Sequence, residues 1–160
     1  MFKTIIINNH EYHLEYTVEA ALYGDATQKL MDFLIQTTVG ADSDDPAAVI
    51  RENLKTVADV PQTALTLFYA GLLEHHGPFG DGTIKTIADA KRLVRDYFAD
   101  HAEDGTDNFM DLLTLCLDQM GNDGFFKRVG LEKMFQAAEA EPVNREQKRA
   151  AAKKSKATEK

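Results

Sequence analysis

The stretch that decides the fold is Pro61-Gln62-Thr63-Ala64-Leu65-Thr66-Leu67-Phe68-Tyr69-Ala70-Gly71-Leu72-Leu73. At 3.6 residues per turn its apolar members Ala64, Leu65, Leu67, Phe68, Tyr69, Leu72 and Leu73 cover most of a helix circumference. A helix that is apolar nearly all round has no face to give to water and belongs at the centre of a bundle. Pro61 marks its first turn, and His75-His76-Gly77-Pro78 closes it with residues that stop helices. The rest of the chain must supply apolar stripes to pack around it.

Upstream, Asp45-Pro46 reads as the start of a separate helix through Val49, Ile50, Leu54 and Val57, with the 40–45 loop before it. Thr17 is placed to cap a helix from Val18; Gly24-Asp25 interrupts it, and Leu30, Phe33, Leu34 and Thr37 resume the helical spacing. Residues 1–16 read as a β-hairpin. Phe2 to Ile7 is rich in β-branched residues, Asn8-Asn9 suits a turn with positive φ, and Tyr12, Leu14 and Tyr16 fall on one face. Two strands alone are barely stable, so the hairpin must lie on the helices, and its open edges are expected to be available to a neighbouring chain.

Downstream, a glycine-rich, exposed loop is expected from Gly77 to Gly82. Thr86-Ile87-Ala88-Asp89 has capping-box spacing, and the helix after it puts Ile87, Ala90, Val94, Tyr97 and Phe98 opposite Lys91, Arg92, Arg95 and Asp96. Asp107 is placed to cap a further helix with the stripe Phe109, Leu112, Leu113, Cys116 and Met120, stopped at Gly121 to Gly124. Phe125-Phe126 follows, and a last short helix carries Leu131, Met134, Phe135 and Ala138 before Pro142. The expected fold is α+β and predominantly helical: an N-terminal β-hairpin on a bundle of five to six helices. Residues 1–141 form one folded domain in this reading, with 1–16 the hairpin and 17–141 helical; residues 142–160 form a flexible basic tail, disordered or helical.

Composition narrows the function classes. Of the 160 residues 44% are hydrophobic, which suffices for a core and argues against disorder. One cysteine, Cys116, excludes an internal disulfide framework. No apolar run approaches the ~20 residues of a membrane helix, and Ile5 to Ile7 is too short for the apolar part of a signal peptide, so a soluble intracellular protein is expected. The last sixteen residues hold seven basic and two acidic side chains, a charge of +5. The other 144 hold eleven basic and 24 acidic ones, or −13. Such a body repels phosphate, which disfavours nucleic acid as partner despite the tail residues Arg145, Lys148, Arg149, Lys153, Lys154 and Lys156.

Catalytic and metal chemistry find little support. His10 and His13 point to opposite hairpin faces, and adjacent His75 and His76 splay on a helix end, where they interact with its dipole. The Asp42–Asp45 and Asp104–Asn108 stretches lack the oxygen ligands, glycine and final glutamate of a calcium loop. Gly77, Gly80 and Gly82 lack the Gly-Lys-Ser/Thr ending of a phosphate cradle. Cys116 sits on an apolar stripe, as a structural cysteine does. No nucleophile, base and orienting group assemble, so no enzyme, metal or cofactor is expected.

The run Glu11-Tyr12-His13-Leu14-Glu15-Tyr16-Thr17-Val18-Glu19-Ala20-Ala21-Leu22-Tyr23 resembles the start of the tail assembly chaperones of long-tailed phages and prophages of Gram-positive bacteria. Leu67-Phe68-Tyr69-Ala70-Gly71-Leu72-Leu73-Glu74-His75-His76-Gly77 resembles the same family, as do Ile87-Ala88-Asp89-Ala90-Lys91 and Asp123-Gly124-Phe125-Phe126. The resemblance spans roughly residues 3–126. It implies a chaperone that coats the long helical tape measure protein during viral tail assembly, in the host cell cytoplasm, and is absent from the mature virion. It also implies a longer form, made by programmed frameshifting, that recruits the tail tube protein; Lys153-Lys154, where encoded AAA-AAG, is the expected slip site. A homo-oligomer, ring or spiral, is implied as well. Tyr97, Phe98, Phe109, Phe125, Phe126, Met134 and Phe135 are the candidate partner-binding residues, although Phe125-Phe126 also reads as core. The rival readings are a head-tail joining or other virion interaction protein, and then a small nucleic-acid-binding regulator.

Overall fold

A computed structural model describes residues 1–39 and 46–132. It is a predominantly helical α+β fold in which an N-terminal antiparallel hairpin packs on helices. The elements are β1 (Lys3–Ile7), β2 (His10–Leu14), α1 (Val18–Leu22), α2 (Gly24–Val39), α3 (Pro46–His76), α4 (Ile87–Asp100), α5 (Phe109–Asn122) and α6 (Phe125–Arg128). The chain divides into two compact units, Met1–Phe125 and Phe126–Lys160. The 40–45 loop, Met134, Phe135 and the basic tail lie outside the described residues.

The first unit is organised around α3, which packs against β2, α1, α2, α4 and α5. Ala64, Leu67, Phe68, Ala70 and Leu72 are fully buried in it. Pro61 does not begin a helix. It lies inside the continuous 31-residue α3, which merges the two helices expected on either side of it. An internal proline lacks an N–H and costs about 3 kcal/mol. Burial of Leu67, Phe68 and Leu72 at about 1.5–3 kcal/mol each outweighs that cost, so packing overrides the local stop signal.

The hairpin closes as its sequence dictates. Asn8 and Asn9 hold φ of 51° and 61°, and the strands pair from Lys3↔Leu14 to Ile7↔His10. Ile5, Ile7, Leu14 and Tyr16 are buried, whereas Ile6 is 59% exposed. The open edge expected for β2 is taken by α3. The outward amide of His13 donates to Nε2 of His76 (2.9 Å), and that of Glu15 donates to the Gly71 carbonyl (2.9 Å). On β1, the Asn8 amide at the turn donates to Asp100 of α4 (2.6 Å).

Local details refine the helix ends. Thr17 precedes α1, yet its hydroxyl donates to Glu74 on α3 instead of capping. The Thr86–Asp89 capping box is fully formed. Asn108, one residue beyond the expected Asp107, caps α5 by accepting from the amides of Met110 and Asp111 (both 3.0 Å). Leu112, Leu113, Cys116 and Met120 of α5 are buried, and Gln119 joins them because its amide reaches Asp123 (2.9 Å).

Tyr16 links these parts. Its hydroxyl donates to the Leu67 carbonyl (3.0 Å), its ring meets Phe125 edge-on (5.9 Å), and its amide donates to Asp123 (2.8 Å). Burial pushes the Tyr16 phenol well above its usual range. Burial also lifts the Cys116 thiol to about 12. Native protein at pH 8 is therefore expected to resist maleimide until it unfolds, with labelling followed by intact mass across a urea series.

A Cβ at Gly71 would lie 2.7 Å from Leu14 Cδ2 and 2.8 Å from the Tyr16 ring, both on fully buried side chains. Glycine is ordinarily a poor helix residue, and Gly→Ala inside a helix gains about 1 kcal/mol. Here overpacking opposes that gain at about 1–3 kcal/mol. Gly71→Ala is expected to lower the thermal midpoint, and a raised midpoint would refute this seating.

Candidate functional site

The amphipathic helix α4 turns Ala90, Leu93, Val94 and Tyr97 into the core and leaves Lys91, Arg92 and Arg95 in solvent. Where α4 meets the middle of α3 the packing is incomplete, and a groove of about 490 Å³ remains. Ala58, Pro61 and Leu65 of α3 and Val94 and Phe98 of α4 form its apolar surface, and Phe109, the first residue of α5, closes one end. Phe98 and Phe109 meet edge to face with centroids 5.0 Å apart. Gln62, Lys91 and Arg95, all exposed, form the rim. Pro61 therefore serves the groove as a flat apolar ring on its wall.

The candidate partner-binding residues divide. Phe98 and Phe109, both half-buried, come together in the groove. Tyr97 and Phe125 belong to the core, 7% and 0% exposed, and are not available to a partner in the folded chain. Tyr97 faces Phe68 (6.5 Å) and stacks on His101 (4.1 Å); Phe125 abuts Tyr16. Phe126 is half-buried and begins the second unit. Met134, Phe135 and the tail residues Arg145, Lys148, Arg149, Lys153, Lys154 and Lys156 are not among the described residues. Pro61, Leu65, Lys91 and Arg95 complete the groove without having been selected from the sequence.

A second cluster gathers where the hairpin meets the end of α3. The rings of His13, His75 and His76 lie 5.4–6.4 Å apart, with Phe2 against His13 (4.3 Å) and Tyr12 against His76 (5.2 Å). His75 contacts Glu15 through Nε2 (2.7 Å). His76 accepts from the His13 amide at Nε2, so its proton sits on Nδ1, which donates to Asp81 (2.7 Å). With both nitrogens of His76 engaged, this is a clasp that fastens strand to helix. Among the described residues no group of three or more His, Cys, Asp or Glu side chains is placed to hold a metal ion. No described helix is long and apolar enough to cross a membrane.

Asp81 anchors the clasp from the turn after α3. Its carboxylate also accepts from the amide (2.9 Å) and hydroxyl (2.7 Å) of Thr83. Desolvation pulls its pKa upward, but the bonds from Thr83 and His76 prevail and hold it at about 2.

No family model, curated protein or solved structure matches this chain.

A carboxylate held low in the folded state stabilises at pH above its ordinary value of 3.8, and that contribution is lost as pH falls through about 2. Urea unfolding at pH 5, 3.5 and 2.5 is expected to show the wild type losing more stability across this window than Asp81→Asn. Parallel losses in the two proteins would remove Asp81 from the clasp.

Proposed function

We propose that this protein is a phage tail assembly chaperone. In this reading it binds the long helical tape measure protein in the host cytoplasm, keeps it soluble until tail tube subunits polymerise around it, and stays out of the mature virion. It acts by binding, without catalysis or cofactor. A longer frameshifted form recruits the tail tube protein, and copies of the chain associate along the filament.

The observation that carries the reading is the apolar groove of α3 and α4, with Phe98 and Phe109 presented in it. A chaperone for amphipathic helices needs an exposed apolar channel on a rigid scaffold. The sequence resemblance supports the same reading. Its two longest stretches, residues 11–23 and 67–77, are packed on each other through Leu14, Tyr16 and Gly71. They form one structural unit.

The test is to express the gene from its own DNA with the sequence downstream, capture the product with an antibody to the folded protein, and measure intact masses. A minor longer species sharing this N-terminus, together with a long helical protein captured in stoichiometric amount, is the expected result. Recovery of this chain in purified particles would overturn the chaperone reading in favour of a head-tail joining subunit.

A further inference from the structure

We infer that the groove between α3 and α4 takes an amphipathic helix whose apolar stripe is flanked by acidic residues one turn apart, which pair with Lys91 and Arg95. This deepens the chaperone reading, and rests on it only for the identity of the protein that carries the helix.

A helix fits because both long walls are helices whose backbone groups are already bonded within themselves. The groove therefore offers no ladder to an extended strand, and a strand buried there would leave its own amides and carbonyls unpaired. A helix brings its backbone satisfied and presents only side chains. At 1.5 Å rise and about 5 Å radius a helix fills about 120 Å³ per residue. A groove of about 490 Å³ thus takes the inward side of a short helical segment. The polar groups Gln62, Lys91 and Arg95 all lie on the exposed rim, so no buried polar group orients a small molecule.

The charge requirement comes from the rim. None of the nine lining residues is acidic, in a body that carries 24 acidic side chains against eleven basic ones. Lys91 and Arg95 stand four residues apart on α4, about 6 Å along its axis. Neither makes an ion pair among the described residues, whereas Arg92 on the same helix turns to Asp89 (3.9 Å). Two unpaired cations one turn apart beside an apolar floor match two carboxylates one turn apart beside an apolar stripe. The same two cations disfavour a basic segment, such as the +5 sequence of residues 145–160, as the occupant.

The probes are two fluorescein-labelled 18-residue helical peptides with one Leu/Phe stripe, flanked by Glu in one and by Lys in the other. Binding to the full chain is read by anisotropy at 50 and 300 mM salt. The Glu peptide is expected to bind at least tenfold more tightly at low salt, about 1.4 kcal/mol, with the preference shrinking at high salt. The double variant Lys91→Glu/Arg95→Glu, confirmed folded by circular dichroism, should invert the preference. Phe98→Ala should weaken both peptides.

Equal affinities, a preference that survives charge reversal, or no saturable binding would overturn the inference. Self-association abolished by Phe98→Ala, without peptide binding, would assign the groove to a second copy and overturn it too. The two readings fail separately. If the charge-reversed protein still captures a long helical partner from its native gene cluster, the groove inference falls and the chaperone reading stands. If the Glu peptide binds with the stated charge dependence but no such partner is captured, the reverse holds.

Discussion

The first unit depends on the seating of the end of β2 against α3 at Gly71. A two-stranded hairpin has too little core to stand alone, and its outer edges leave backbone groups unpaired. Here a missing side chain on α3 lets Leu14 and Tyr16 approach the helix backbone, and the Glu15 amide finds the Gly71 carbonyl. The His13 amide finds His76 one and a half turns further along. Tyr16 then carries the connection to Leu67, Asp123 and Phe125. Strand edge, central helix and the α5–α6 junction thus share one anchoring residue, and a change at Gly71 is felt at all three.

The same central helix explains why a groove exists. At 1.5 Å per residue the 31 residues of α3 extend about 46 Å, while the 14 residues of α4 and of α5 extend about 21 Å each. The shorter helices cover the apolar second half of α3, where Leu67, Phe68 and Leu72 are fully buried. They leave Ala58, Pro61 and part of Leu65 uncovered. Over 58–65 core and groove are two faces of one helix: Val60, Thr63 and Ala64 are buried, while Ala58, Pro61, Gln62 and Leu65 line the groove. Continuity of α3 through Pro61 keeps the groove wall rigidly tied to the core.

Features encoded over a few residues were legible in the sequence: the Asn8-Asn9 turn, the Thr86–Asp89 box, the interruption at Gly24 and the buried stripes of α4 and α5. Those decided by tertiary contact were not. Pro61 signals a helix start locally, and only the burial beyond it carries α3 through. Thr17 and Asp107 are sound caps by type, but Glu74 competes for the first and Asn108 lies better placed than the second. The His13–His75–His76 clasp joins residues more than sixty positions apart, and no spacing rule announces it. For the candidate site, an amphipathic pattern tells which face of a helix is apolar. It does not tell whether a neighbour covers that face, so Tyr97 and Phe98, adjacent in sequence, were indistinguishable although one is core and the other lines the groove. Lys91 and Arg95 were visible as the polar face of α4, yet their lack of an ion pair among the described residues is a property of the folded surface alone.

That lack sets a constraint of its own. Like charges four apart on a helix cost a few tenths of a kcal/mol, and an acidic body supplies ample carboxylates to relieve them. On α4, among the described residues, the relief is given to Arg92 through Asp89 and not to Lys91 or Arg95. Beyond the ~8 Å Debye length at physiological salt, the excess of acidic groups on the body is largely screened; at the groove itself the lining cations are Lys91 and Arg95. At physiological salt the short-range charge of the rim therefore decides how an acidic helix sits. A surface arranged this way discriminates by fit at the groove more than by general attraction to the body.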